Sequence, residues 1–159
     1  MKNIVIFILI TYSSIIFAGA QNPKTQCNIA TCDAGRKVIS FASKDDAYFS
    51  CPTNELSEYT NHVLGLSLMI YQFTGTIPNI SPVTGDPEQQ GQSKIILDKL
   101  RSNSKAKTFD EAVAACKKGK NKQIFMVANN PKDSSSMWVF NSKTKEQQWM
   151  PKSHLDLIK

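Results

Sequence analysis

From Thr53 onward the apolar residues Leu56, Tyr59, Val63, Leu66, Ile70 and Phe73 recur at spacings of three and four. That rhythm draws one stripe along a helix over residues 54–73 that ends near Gly75. Leu64, Leu68 and Met69 widen the stripe, so this central helix is expected to be buried on more than one side. Ile95, Ile96, Leu97 and Leu100 mark a second, shorter helix from Lys94 to Arg101. Thr108 followed by Glu111 forms a capping box for a third, running to about Lys118 with Gly119 as its C-terminal cap. Then the period falls to two. Gln123 to Ala128, Met137 to Asn141 and Glu146 to Met150 read as strands, joined by turns at Asn129-Asn130-Pro131 and at Asn141 to Lys145.

Upstream, residues 21–35 are polar and turn-rich, and Lys37 to Ser43 alternates as a strand. The pattern predicts an α+β fold: a central amphipathic helix and short helices packed on a C-terminal antiparallel sheet. Residues 21–52 read as an N-terminal extension carrying the first strand, and 53–159 as a single α+β domain. Residues 75–92, with three glycines and three prolines, read as a long irregular loop. Loops of that length are uncommon unless functional or disordered. Asn79-Ile80-Ser81 within it is an acceptor for N-glycosylation in a eukaryotic source, disfavoured by Pro82.

The first twenty residues follow a different logic. Lys2 is a short positive region, Ile4 to Phe17 an apolar one, and Ala18-Gly19-Ala20 a small-residue cleavage pattern. Thr11 to Ser14 interrupt the apolar run, which is shorter than the roughly 20 residues a span needs. Residues 1–20 are therefore expected to be a cleaved signal peptide, and the chain to be secreted, extracellular or periplasmic according to the host. No later apolar run approaches membrane length, so no stable membrane insertion is expected. The remaining 139 residues suit one domain.

All four cysteines, Cys27, Cys32, Cys51 and Cys116, fall in the exported part, where an even count favours two disulfides. Of the three connectivities, Cys27–Cys32 with Cys51–Cys116 is favoured, because the second bridge would tie the start of one helix to another. The spacings lack the paired C-x₂₋₄-C arrangement of zinc modules, so no metal and no cofactor is expected.

Charge is unevenly placed. Residues 94–122 hold nine cations, Lys94, Lys99, Arg101, Lys105, Lys107, Lys117, Lys118, Lys120 and Lys122, against Asp98, Asp110 and Glu111, a local net of +6. Lys117, Lys118, Lys120 and Lys122 are expected together at a helix end and the turn after it. The pattern suggests attraction to RNA, a phosphate-bearing surface or an acidic partner, and equally ordinary helix solvation. Phe125, Trp138, Phe140 and Trp149 could form a base-stacking platform beside it. Apolar residues on both faces of the 137–141 strand favour burial instead.

Catalytic groups are scarce. The only histidines are His62, four residues after Glu58 as on a helix surface, and His154, in a polar segment typical of a surface residue. No G-x-S-x-G, H-E-x-x-H or glycine-rich phosphate loop occurs. The neighbouring acids Asp45-Asp46 and Asp110-Glu111 diverge on any regular backbone. These observations lean away from an enzyme.

The segment Tyr48-Phe49-Ser50-Cys51, leading into the long helix, resembles the aromatic-x-cysteine start of ribonuclease-like secreted effectors of plant-pathogenic fungi. Together with the strands at 123–128 and 137–141 it covers residues 48–73 and 123–150. The resemblance implies one helix on an antiparallel sheet. Cys116 precedes the strands, where that family's closing cysteine usually lies near the chain end, so the resemblance leaves the cysteine pairing open. Two helices are also inserted between residues 93 and 118. The strands lack the catalytic His, Glu and Arg of ribonucleases with that fold, so the resemblance implies a non-catalytic binder of RNA or a host protein.

The sequence thus suggests an exported, small, basic, non-enzymatic interaction protein that meets an anionic or protein partner through Lys94 to Lys122 and the neighbouring loop. The alternatives are a bacterial periplasmic or cell-envelope accessory protein, and a secreted nuclease or other hydrolase using His62 or His154.

Overall fold

The computed structural model describes residues 24–158. The expected signal peptide and its cleavage site lie outside the described residues. Strands β1 (Lys37–Ser40) and β2 (Phe49–Ser50) come first. Helices α1 (Asn54–Thr74), α2 (Gly91–Ser104) and α3 (Phe109–Ala114) follow. The chain closes with β3 (Lys117–Lys118), β4 (Ile124–Asn129), β5 (Ser136–Phe140), β6 (Gln147–Pro151), a 3₁₀ turn at Lys152–His154, and β7 (Leu155–Leu157).

Five strands form an antiparallel sheet in the order β6-β5-β4-β1-β7. This is the α+β, disulfide-stabilised fold that the residue pattern predicts. β2 and β3 make a separate two-stranded ladder, and a bridge between Cys51 and Trp149 ties it to β6. β1 sits between β4 and β7, so Lys37–Ser40 is built into the five-stranded sheet. The first strand ends at Ser40, not Ser43, as Ser40 turns to pair with the chain at Lys122 and Gln123.

Two cores result. Val38, Phe125, Val127, Met137, Val139, Met150 and Leu155 project from the sheet and enclose Tyr48 and the Cys27–Cys32 disulfide. Tyr59 and Val63 of α1 meet Leu97 of α2 and Ala112 of α3 in the second. Where α1 meets the sheet the contact is polar, with the Ser57 and Ser136 hydroxyls sharing a buried hydrogen bond of 2.8 Å. The second disulfide, Cys51–Cys116, joins the start of α1 to the end of α3, the favoured pairing.

Helix α1 starts and stops where its caps dictate. The Thr53 hydroxyl accepts the Leu56 N–H, and Gly75 takes the left-handed conformation at φ 71° that a side chain would strain. Its burial departs from expectation. The buried residues Ser57, Tyr59, Thr60 and Val63 all lie in its first half, where α2, α3 and the strands pack. Met69, Tyr71 and Phe73, in the last turns, are exposed.

Helix α2 runs over fourteen residues, longer than the expected 94–101. Helix α3 keeps its capping box: Thr108 Oγ accepts the Glu111 N–H, and the Glu111 carboxylate accepts the Lys107 N–H. It stops at Ala114 rather than Lys118 because Cys116 is bridged to Cys51 and the next two residues are drawn into the ladder with β2. Gly119 is therefore no helix cap. Its N–H donates to the Tyr48 carbonyl, and a Cβ there would stand 2.3 Å from the Tyr48 ring. Among the described residues, no helix is long and apolar enough to cross a membrane.

Candidate interaction surfaces

The fold divides the basic stretch into two groups with different fates. On α2, Lys94 pairs with Asp98, and the Arg101 guanidinium bridges Asp98 and Asp86. Hydrogen bonds from Lys94 and Arg101 hold the Asp98 carboxyl below the usual carboxylate range. Lys99, Lys105 and Lys107 remain exposed, with no ion pair among the described residues. The charge of α2 is thus partly neutralised within its own neighbourhood.

Lys117 and Lys118 lie on β3, and Lys120 and Lys122 on the turn to β4, not at a helix end. Lys117 reaches the Glu146 carboxylate at 2.7 Å, which brings the β5–β6 turn with Lys143 and Lys145 beside them. Lys117 and Thr144, with Lys120 beyond, hold the Glu146 carboxyl below its usual range. Lys143 and Lys145 had no signal in the sequence, because more than twenty residues separate them from the other four and only the pairing of Lys117 with Glu146 joins them.

A second surface is presented by a stretch of chain without charged side chains. No Asp, Glu, Lys or Arg occurs between Glu58 and Asp86. In this stretch Phe73 is 85% exposed, Ile77 80% and Val83 78%, with Met69, Tyr71 and Ile80 also exposed. Ile95 and Ile96 add to the exposed apolar side chains on α2. Tyr71 and Ile77 line a cleft of about 790 Å³ whose lining also includes Leu64, Leu68, Lys44, Asp45, Asp46 and His154.

The loop that presents Ile77, Ile80 and Val83 is not irregular throughout. Ile80 bridges to Pro87, Ser81 donates its N–H to the Asp86 carbonyl, Glu88 to that of Asn79, and Phe109 to that of Thr84. Asp86 is buried and anchors the loop. Its carboxylate accepts the Tyr59 hydroxyl at 2.5 Å and the Arg101 guanidinium. Burial, reinforced by the Asp86 charge, pushes the Tyr59 hydroxyl far above the ordinary tyrosine range. Asn79 of the glycosylation motif is exposed.

The histidines differ from expectation. His154 is not a surface residue: its side chain is 12% exposed, packs against the Tyr48 ring, and places Nε2 3.0 Å from Asp46 Oδ1. His62 makes no bond to Glu58, whose carboxylate accepts the Ser135 N–H instead. Burial pushes the His62 imidazole below its usual value. The aromatic residues divide: Phe125 is in the core, while Trp138, Phe140 and Trp149 are half-buried, with the two tryptophan rings 5.4 Å apart. The Lys145 ammonium stands 5.7 Å above the Phe140 ring. Among the described residues, no group of three or more His, Cys, Asp or Glu could hold a metal ion.

Compared with known proteins, the chain matches no family model, no curated protein and no solved structure.

Proposed function

We propose that this chain is an exported, non-enzymatic interaction protein whose primary partner is another protein, docked on the uncharged lobe formed by the last turns of α1 and the loop after it. The observation that carries this reading is the exposure of Phe73, Ile77 and Val83 in a stretch without a single charged residue. Exposed large apolar side chains concentrated in one stretch of chain, rather than scattered singly, mark a candidate site for another molecule. The loop from Asn79 to Glu88 is held by the Asp86 anchor and by its own backbone hydrogen bonds, so little ordering entropy is lost there on docking. A separate cleft beside Ile70 and Pro78 is lined by Lys94 and Arg101 together with Asp86, Glu88 and Asp98, and Lys99 is exposed on α2. The complementary partner presents an apolar surface to Phe73, Ile77 and Val83.

Two disulfides are compatible with an oxidising compartment, and the expected signal peptide makes export part of the same reading. The resemblance to ribonuclease-like secreted effectors, taken as non-catalytic binders, agrees with it.

A photo-crosslinking residue at Ile77, with a control at Lys105, tests the proposal in fluid from the natural compartment. One partner chain should cross-link from 77 and not from 105. Its purified complex should then weaken about tenfold or more in a Phe73→Ser, Ile77→Ser, Val83→Ser variant. Unchanged affinity of that variant overturns the reading, as does cosedimentation of the wild-type chain with lipid vesicles that the variant loses.

A further inference from the structure

The two lysine groups that β3 and the β5–β6 turn bring together make one end of the sheet strongly positive. Residues 117–122 and 141–148 contain six lysines and one acid, Glu146, so a local net of +5 gathers there in a chain whose formal net charge is +6. The two segments are neighbours in space through the Lys117–Glu146 pair. Between them lies a cavity of about 160 Å³, whose lining includes Lys117, Lys118 and Lys120 with Ser50, Thr144 and Gln148. Gln123, Asn141 and the Glu146 carboxylate, which Lys117 holds, also line it, and a space of this size admits one tetrahedral oxyanion. Lys118, Lys120, Lys122, Lys143 and Lys145 have no ion pair among the described residues.

We propose that this basic end binds a sulfated polysaccharide, with one sulfate ester in the Lys117–Lys118–Lys120 cavity and neighbouring sulfates against Lys143 and Lys145. The lack of an open aromatic platform on the sheet, among the described residues, favours such a polymer over a single-stranded nucleic acid. Single-stranded nucleic acid is usually bound by open aromatic faces on which bases stack. Here Lys145 stands over the half-buried Phe140 ring, and no aromatic of the sheet is among the exposed large apolar residues. A sulfated polysaccharide has no bases to stack and needs only spaced positive charge. The site is separate from the apolar lobe and does not depend on it.

The test is fluorescence anisotropy with a labelled heparin octasaccharide over a salt series. Wild-type protein should bind at low salt and lose affinity steeply as salt rises. Replacing Lys118, Lys120, Lys143 and Lys145 by Gln should weaken binding by about tenfold to a hundredfold and make the salt dependence shallower. All four side chains are exposed, so the thermal midpoint should stay in place. Glu146→Gln removes the only acid at the cavity and should tighten binding. Lys94→Gln with Lys99→Gln, on α2, should change it little, as should the triple substitution in the apolar lobe. No binding at low salt, equal affinity and slope in the four-lysine variant, or tighter binding of single-stranded RNA carrying the same number of charges would each overturn the proposal.

Discussion

Tyr59, on the buried face of α1, and Asp86, twenty-seven residues later in the loop, meet in a hydrogen bond of 2.5 Å that fastens the loop to the helix layer. Arg101 of α2 closes the same carboxylate from the other side. Tyr59→Phe removes one hydrogen bond to a buried charge and should cost about 2 kcal/mol in urea denaturation. Asp86→Ala leaves Arg101 with Asp98 as its remaining partner and frees the loop, and should cost about 3 kcal/mol. The apolar lobe should then gain hydrogen exchange in residues 76–88 while the sheet keeps its protection.

The same pair sets an alkaline limit. In the unfolded chain Tyr59 ionises near the ordinary value of 10.0, whereas in the fold its proton is held to higher pH by burial and by Asp86. The unfolded state therefore releases the proton first, and stability falls as pH rises above about 10. Denaturation midpoints between pH 8 and pH 11 should drop in the wild type and drop less in Tyr59→Phe. Equal slopes would mean that Tyr59 has no part in the effect.

The two disulfides should differ in worth. Cys51–Cys116 closes a separation of 65 residues and Cys27–Cys32 one of 5. On the chain-entropy account these constrain the unfolded state by about 4 and about 2 kcal/mol. Paired Cys→Ala variants measured by chemical denaturation should show that order. Thiol titration of the unfolded, unreduced protein should find no free thiol.

Gly119 should resist substitution for a reason of space. Gly119→Ala forces its Cβ against the buried Tyr48 ring, which is held by its hydroxyl on the Lys120 carbonyl at 3.0 Å and by packing on His154. The expected loss is about 2 kcal/mol, read as a fall in the thermal midpoint.

Apolar residues of similar type should separate sharply by position. Leu97→Ala, in the core among the helices, should cost about 3 kcal/mol. Phe73→Ser should stay within about 0.5 kcal/mol because its ring has little protein against it. The Phe73→Ser chain should also bind less of a hydrophobic dye than the wild type.

Sequence alone determined the elements whose signals are local. The Gly75 stop, the Thr108–Glu111 capping box and the period-two strands each depend on neighbours within a few residues, and each appears in the structure. The periodicity of α1 identified a helix but not what covers it, since an apolar stripe looks the same whether a neighbour packs on it or not; Phe73 and Val63 differ only in what the rest of the fold places against them. The end of α3 was misread for a related reason: the disulfide and the ladder with β2 outweigh the helical preference of residues 115–118. Only the tertiary structure decided the fate of the charges. Arg101 is answered by Asp86 fifteen residues away, and Lys117 by Glu146 twenty-nine residues away on the turn that carries Lys143 and Lys145, so the stretch that looked like one basic run is partly neutralised at α2 and joined by further lysines at β3. Electrostatic interaction depends on distance through space, and the order of residues along the chain does not set that distance until the chain has folded.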